Sequence, residues 1–231
     1  MNQKNITFIA VTLICLGLIG VQCKTNQKKK VLKDVDGNIY QTITVGTQFW
    51  MAENLKTTKY NDGTPIPLVS DNKAWEALAT PGYCWYNNDA VTYKSAYGAI
   101  YNWYTVNNDK LCPAGWHVPT YYEWGTLTTY LGVAPGSADS LASQNRKETS
   151  TTNWLNGSDG SINQRGFLSF QGGYRNDDGS FSPIGDYCRW WMSAEWNIST
   201  VWGRFLTYGY SGGVNSFVGM RQGFSVRCIK N

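Results

Sequence analysis

The 231-residue chain is rich in glycine (24 residues) and aromatic side chains (15%) but poor in charged ones (16%), a composition that excludes a disordered protein. Its formal net charge of +4 arises at the N-terminus, because all 16 acidic residues but only 14 of the 20 basic ones lie from Asp34 onward. That part is therefore close to neutral and lacks the basic face of a nucleic-acid-binding protein. Roughly 200 residues suit one domain with a sizeable core.

The N-terminal segment has the pattern of a lipoprotein signal peptide. Lys4 precedes an apolar stretch from Ile6 to Val21, which is short for a membrane-spanning helix of about 20 residues and typical of a cleaved signal sequence. The following LIGVQC is the kind of site at which signal peptidase II cleaves before a cysteine that becomes acylated, here Cys23. A plain secretory signal or an uncleaved anchor is the alternative.

We therefore expect three parts: a signal peptide over residues 1–22, a lipidated basic tether over 23–33 and a domain over 34–231. The tether contains five lysines and no acidic residue, so it is expected to be solvated and to touch anionic headgroups. The predicted location is the cell envelope, with the lipid in the outer membrane. The sequence leaves open whether the domain faces the periplasm or the cell surface.

Four cysteines remain once Cys15 is assigned to the signal peptide and Cys23 to the lipid. An even number in an exported chain predicts two disulfides, for which three connectivities are open. No pair among them has the spacing of zinc ligands, so no metal site is expected. The four are Cys84, Cys112, Cys188 and Cys228.

The first predicted elements are a hairpin and a short helix. Residues 35–51 contain Asp36-Gly37-Asn38, a tight-turn signal between strand-like segments. The same DVDG resembles the start of a calcium-binding EF-hand loop, but Val45 occupies the position that requires a bidentate glutamate. Residues 71–79 predict a helix capped by Asp71 or Asn72, and a further short helix is expected near residues 99–104.

The clearest predicted helix covers residues 120–131. Thr120 and Glu123 form a capping box, and Trp124, Leu127 and Leu131 recur on one apolar face. Residues 133–165 predict a long surface excursion with one short helix at 138–143.

The C-terminal part, residues 166–231, is expected to consist of strands. The last of them alternates Phe224, Val226 and Cys228 with polar neighbours, which predicts a half-buried strand. The four predicted strands are GFLSFQGGYR, RWWMSAEW, TVWGRFLTYG and GFSVRCIK.

No catalytic constellation is apparent, so no enzyme activity, catalytic residue or cofactor is expected. His117 is the one histidine, and we interpret it as structural, with its ring bonded to a loop carbonyl. A glycosidase would need two carboxylates, and Glu195, beside Trp191 and Trp196, is the best candidate among the five glutamates.

Aromatic side chains are the strongest hint of a ligand site. Sugar rings stack on Trp and Tyr, although burial in the core is the commoner fate of tryptophan, and we assign Trp50, Trp103, Trp116 and Trp124 to the core. Adjacent Trp190 and Trp191 must point to opposite faces of a strand, so one of them is expected to face away from the core. The candidate ligand-binding residues are Trp190, Trp191, Glu195, Trp196, Trp202, Tyr208 and Tyr210.

Several segments together resemble the Fibrobacter succinogenes major paralogous domain, found on many exported proteins of Bacteroidetes and Fibrobacteres. The resemblance runs from about Lys33 to Lys230 and rests on DVDGNIYQTITVGTQFWMAENLKTTKYNDGTPI, YGAIYNWYTV, LCPAGWHVPTYYEWGTL, GFLSFQGGYR and GFSVRCIK. GWHVPTYYEW with a late GFSVRC is also similar to the C-type-lectin-like and sulfatase-modifying-factor group. This implies an α+β fold with a small antiparallel sheet, one or two short helices and long loops stapled by disulfides.

The same resemblance implies that the last strand returns beside the first hairpin, that Cys112 pairs with Cys228, and that Cys84 is left for Cys188. It transfers no chemistry, because the chain lacks the second C-terminal cysteine of formylglycine-generating enzymes and the calcium-binding triplets of lectins. Three hypotheses follow for function. The first is a non-enzymatic binding module for polysaccharide or another cell-envelope ligand, the second an adhesive surface protein with a protein partner, and the third a glycan hydrolase.

Overall fold

A computed structural model describes residues 31–130, 172–184, 187–195, 200–207 and 214–231. The predicted signal peptide, the predicted lipidation site Cys23 and most of the predicted tether lie outside this set. The predicted excursion at 133–165, the short helix expected at 138–143 and most of GFLSFQGGYR lie outside it too. None of the helices within the described ranges is long and apolar enough to cross a membrane.

Short antiparallel strands and short helices make up the described fold, which confirms the α+β class. The strands are β1 Leu32–Lys33, β2 Ile39–Tyr40, β3 Thr42–Val45, β4 Gln48–Met51, β5 Tyr83–Cys84, β6 Ile100–Tyr101, β7 Trp116–His117, β8 Tyr187–Glu195, β9 Thr200–Thr207, β10 Val214–Gly219 and β11 Ile229–Lys230. The helices are α1 Asn72–Glu76, α2 Ala90–Tyr97, α3 Trp103–Val106 and α4 Tyr121–Tyr130, with a 3₁₀ turn at Tyr86–Asn88.

The last strand lies inside a four-stranded sheet of order β3-β4-β11-β7. Ile229 pairs with Trp50 of the first hairpin on one side and with His117, just ahead of α4, on the other. This return brings Cys228 beside Cys112, and their sulfurs are bonded with the Cα atoms 6.0 Å apart. The bond is the one that the resemblance implies.

The other predicted pair is not formed, since Cys84 and Cys188 are both buried and no disulfide joins them. Cys84 packs with Trp75 and Ile100, whereas Cys188 lies near Arg227. The prediction of a second disulfide between them is therefore wrong, because the fold gives the two thiols different neighbours. Burial raises the pKa of each to about 12.

A second, three-stranded sheet of order β10-β9-β8 lies in the C-terminal part of the chain. Strand β8 is also joined on its free side to the chain that leads into β11, because the Trp191 amide donates to the Ser225 carbonyl (3.1 Å) and the Ser225 amide donates to Arg189 (3.1 Å). Strand β8 therefore has backbone partners on both sides.

One strand of the C-terminal part was not among the four predicted, and one expectation for this part is wrong. The additional strand is β10 at Val214–Gly219. Residues 223–228 are buried on both faces rather than one, since Ser225 and Arg227 are as inaccessible as Phe224, and only Ile229 and Lys230 pair as a strand. The segment is covered by β8 on one side and by the first half of the chain on the other.

Candidate ligand-binding site

The paired tryptophans of β8 do point to opposite faces, but neither is exposed. Trp190 and Trp191 are 1% and 0% accessible, so the prediction that one of them forms a ligand platform is wrong. The Trp190 ring lies 5.7 Å from that of Trp124 in α4, and its indole N–H donates to Asn54 Oδ1 (3.0 Å). Helix α4 thus covers the face that was expected to be open.

Trp191 fills the core on the other face of β8. Its ring centroid is 4.4 Å from that of Phe224 and 5.5 Å from that of Trp103. The indole N–H donates to the Tyr101 carbonyl (2.6 Å). Trp50, Trp103, Trp116 and Trp124 are buried, as expected.

The remaining predicted ligand residues lie outside what the structure describes. The backbones of Glu195 and Trp202 belong to β8 and β9, but their side chains are not among the described ones. Trp196, Tyr208 and Tyr210 lie between described segments. They remain predictions.

The single histidine ties three parts of the chain together. Its Nε2 lies 2.8 Å from a Glu123 carboxylate oxygen and its Nδ1 lies 2.7 Å from Asn231 Oδ1. Glu123 also accepts from the Thr120 amide (2.8 Å), while the Thr120 hydroxyl accepts from the Glu123 amide (3.2 Å), which confirms the capping box. His117 is structural as predicted, but its partners are side chains rather than a loop carbonyl.

The carboxylates of the EF-hand-like turn are already used within the protein. Asp34 accepts from the Asn38 amide (2.9 Å) and the Tyr40 hydroxyl (2.6 Å). Asp36 accepts from Thr58, which lowers its pKa although burial opposes this. Among the described residues no three His, Cys, Asp or Glu side chains lie close enough together to hold a metal ion.

A concave site lies elsewhere, where the end of β10 meets α1, α3 and the turn at residues 176–179. We call it the charged cleft, and its volume is about 400 Å³. Three carboxylates, one guanidinium and one phenol surround it. Its lining residues are Glu76, Tyr104, Asp177, Asp178, Gly219, Met220 and Arg221.

A buried arginine, Arg175, holds the turn at one side of the charged cleft in place. The Arg175 guanidinium lies 4.4 Å from the Trp75 ring and 5.0 Å from the Phe181 ring. It donates to the carbonyls of Val69, Ser70 and Gly179 and to Asn72 Oδ1. These bonds attach the turn that carries Asp177 and Asp178 to the start of α1.

Close approach at that junction requires glycine. Gly179 has φ +82°, and a Cβ atom there would lie 2.6 Å from the Asn72 Cα atom. A side chain would therefore push the turn off the helix. The turn that carries the two carboxylates is thus packed directly against the start of α1.

The two aspartates have different environments. Asp178 accepts from the Ser180 amide (2.9 Å) and hydroxyl (2.6 Å), and these bonds lower its pKa. Partial burial raises the pKa of Asp177, and repulsion by Asp178 adds to this while attraction by Arg221 opposes it. Arg221 itself donates to the Glu76 carbonyl (2.8 Å), so its guanidinium bridges α1 and the turn.

A second depression adjoins the first across Gly219. This aromatic cleft has a volume of about 390 Å³. Phe217 projects from β10 and is 45% exposed, and the Arg189 guanidinium lies 3.5 Å from the Tyr174 ring and 4.6 Å from the Phe205 ring. The lining residues are Arg189, Phe205, Ser216, Phe217, Val218, Gly219 and Gln222. We call the two clefts together the β10 surface.

Sequence reasoning missed most residues of the β10 surface. Asp177-Asp178-Gly179 has the sequence of a tight turn, and its two adjacent carboxylates are the one local signal of candidate ligand groups there. Tyr104 and Arg221 gave no signal, because nothing local in the sequence places α3 and the end of β10 side by side.

The chain matches the Fibrobacter succinogenes major domain over residues 43–230. This match spans most of the chain, and the chain belongs to that family. No curated protein and no solved structure matches it.

Proposed function

We propose that this protein is an exported, lipid-anchored, non-enzymatic binding module whose ligand is a polysaccharide or another cell-envelope ligand. The lipid on Cys23 would hold it to the outer membrane, and the β10 surface would be its ligand site. The observation that supports this most is the charged cleft, in which acceptors, a donor and an aromatic ring converge on one concavity.

The chemistry of the β10 surface suits a sugar chain. Each sugar hydroxyl can donate to a carboxylate and accept from a guanidinium, and hydrogen bonds to charged groups are the stronger ones. Glu76 and Asp177 supply acceptors and Arg221 supplies donors. Phe217 and Tyr104 offer apolar ring faces for the C–H side of a pyranose ring, and two adjoining clefts suit a chain of several units.

The topology supports the finer, C-type-lectin-like assignment of the fold. In that group the last strand returns beside the first hairpin, and β11 lies between β4 and β7 in this protein. The Cys112–Cys228 bond ties this strand to the segment ahead of α4. A shared fold does not by itself transfer a function, so the binding role rests on the β10 surface.

The glycan hydrolase is kept as a second candidate because of the two aspartates. Asp177 and Asp178 line one cleft with pKa values moved in opposite directions, which is the arrangement that separates a general acid from an ionised partner. The binding module predicts no turnover, whereas the hydrolase predicts release of new reducing ends that is lost in Asp177→Asn.

Retention on insoluble polysaccharides and on a glycan array tests the proposal. Arg221→Ala and Phe217→Ala should each weaken binding at least tenfold, because a charge-assisted bond or a stacking face contributes about 1.5 kcal/mol or more. Tyr122→Ala is the matched control, since this tyrosine is 82% exposed on α4 and does not line either cleft. Equal binding by all three variants, or binding only to a protein partner, would contradict a glycan site at the β10 surface.

A further inference from the structure

A separate surface lies where the domain joins the tether. In the β1–β2 hairpin Lys33 pairs with Ile39 and Leu32 pairs with Tyr40. The second pair faces inward, with Tyr40 fully buried. Val31, two residues before Lys33, is 60% exposed, and Ile39 is 61% exposed. We call Val31, Lys33 and Ile39 the hairpin face.

A shallow apolar recess adjoins the hairpin face at Val31. Its volume is about 120 Å³, and the rings of Phe49 and Trp116 form one wall. The Lys230 ammonium lies 5.9 Å from the Phe49 ring centroid at its edge. Exposed aliphatic groups, aromatic rings and lysines therefore lie side by side on this part of the molecule.

The acidic residues of the hairpin do not offset these lysines at the surface. Asp34 is buried and accepts from Asn38 and Tyr40. Asp36 pairs with Lys59 (3.2 Å) and accepts from the Thr58 hydroxyl. What the hairpin presents outward is thus apolar and positive.

We propose that the hairpin face docks on the lipid bilayer to which the protein is anchored. This rests on the proposed lipid at Cys23. Eight residue steps separate Cys23 from Val31, so an extended tether holds the hairpin face within about 29 Å of the acylated residue. Four lysines of that tether, Lys24, Lys28, Lys29 and Lys30, favour an even closer position over anionic headgroups.

The side chains of the hairpin face have complementary tasks at a bilayer. Val31 and Ile39 can enter the boundary between headgroups and acyl chains. Lys33 and Lys230 can lay their methylene stems along that boundary and leave the ammonium groups among the phosphates. Docking of this kind would orient the domain relative to the membrane, whereas a tether alone would leave it free to tumble.

Depth-dependent fluorescence on the mature lipidated protein tests the proposal. The protein is reconstituted into vesicles of phosphatidylethanolamine and phosphatidylglycerol, with a polarity-sensitive label on Ile39→Cys. The control label is placed on Val91→Cys, because Val91 is 96% exposed and lies on α2. The thiols of Cys84 and Cys188 do not compete for the label, since both are buried and the pKa of each is raised to about 12.

We expect a blue shift and quenching by lipid-borne nitroxides for the label at 39, and neither for the label at 91. Adding Lys33→Glu should weaken docking about fivefold or more, because each lysine near an anionic surface contributes about 1 kcal/mol. Near-identical melting of the labelled variants would show that they are folded.

Three outcomes would overturn the proposal, and they can be told apart. If the wild-type protein floats with the vesicles but the label at 39 remains as exposed to water as the label at 91, docking is refuted and the anchor stands. If the wild-type protein does not float, the anchor fails and docking fails with it. If the label at 39 is shielded in intact envelopes but not in vesicles, the hairpin face binds a protein instead.

Discussion

Two arginine-containing regions of this protein differ in what surrounds the charge. The first region, which we call the buried polar centre, consists of Arg227, Asn54 and Trp190, all of them inaccessible to solvent. Arg227 donates to Asn54 Oδ1 (2.9 Å) and lies 5.5 Å from the Trp190 ring. On the β10 surface, Arg221 is exposed and bridges Glu76 and Asp177. The first arrangement holds the fold together, and the second leaves charged groups available to a ligand.

Burial explains why the buried polar centre and the β10 surface have different roles. It lowers the pKa of Arg227 to about 9, which expresses the cost of removing a guanidinium from water. Hydrogen bonds must offset that cost, so each partner in the centre is hard to replace. Water already solvates the groups of the β10 surface, and replacing them should change binding far more than stability.

The largest expected effect comes from opening the disulfide next to the buried polar centre. The double substitution Cys112→Ala and Cys228→Ala should lower the free energy of unfolding by about 4 to 5 kcal/mol. The reason is the length of the loop that the bond closes, since the two cysteines are 116 residues apart in sequence. Urea unfolding measures the loss. Tyr122→Ala serves as the surface control and should change stability by less than about 0.5 kcal/mol. A loss below about 1 kcal/mol in the double variant would mean that β11 is held by packing rather than by sulfur.

The next effect concerns Asn54, which joins three parts of the core. It accepts from both Trp190 and Arg227 and donates to the Tyr97 carbonyl (2.9 Å). Asn54→Ala leaves buried donors without this acceptor and should cost about 3 kcal/mol. Thermal or urea unfolding checks the value.

The control for Asn54 is Asn231→Ala, which removes only a bond to His117 at the exposed end of the chain. It should cost about 1 kcal/mol or less. If the two asparagine variants were equally stable, the buried polar centre would not differ from the surface in the way described.

The parts predictable from sequence are those held by neighbours along the chain. Thr120 and Glu123 cap α4 three residues apart, and Asp71 caps α1 by accepting from Ala74. The alternation of Trp190 and Trp191 was also read correctly, but their burial was not. Alternation fixes the direction of a side chain, whereas exposure depends on what α4 and Phe224 bring from elsewhere.

The clefts of the β10 surface were even less predictable from local sequence patterns. Glu76, Tyr104, Asp177 and Arg221 come from four separate segments. Their meeting depends on Arg175 and on the pairing of β9 with β10, neither of which a local pattern reveals. The Cys112–Cys228 bond was anticipated only through family resemblance, because spacing alone left three connectivities open.

The smallest expected effect concerns Asp177 on the β10 surface. The pKa of Asp177 is raised above the ordinary aspartate value of 3.8, chiefly by burial. Its ionised form is therefore less favourable in the folded protein than in the unfolded chain. This lowers the free energy of unfolding at pH values above the folded pKa and has no effect on it well below 3.8. Asp177→Asn should accordingly raise the free energy of unfolding at neutral pH, by less than about 1 kcal/mol because the site is open to solvent.

Unfolding of Asp177→Asn and the wild type between pH 3 and pH 7 measures this gain, which should vanish at the acidic end. A variant that is instead less stable than the wild type at neutral pH would mean that attraction by Arg221 outweighs burial. In that case Asp177 would belong with the residues that hold the fold together. With the expected sign, Asp177 lowers stability where it stands, as do many groups retained for binding rather than for folding.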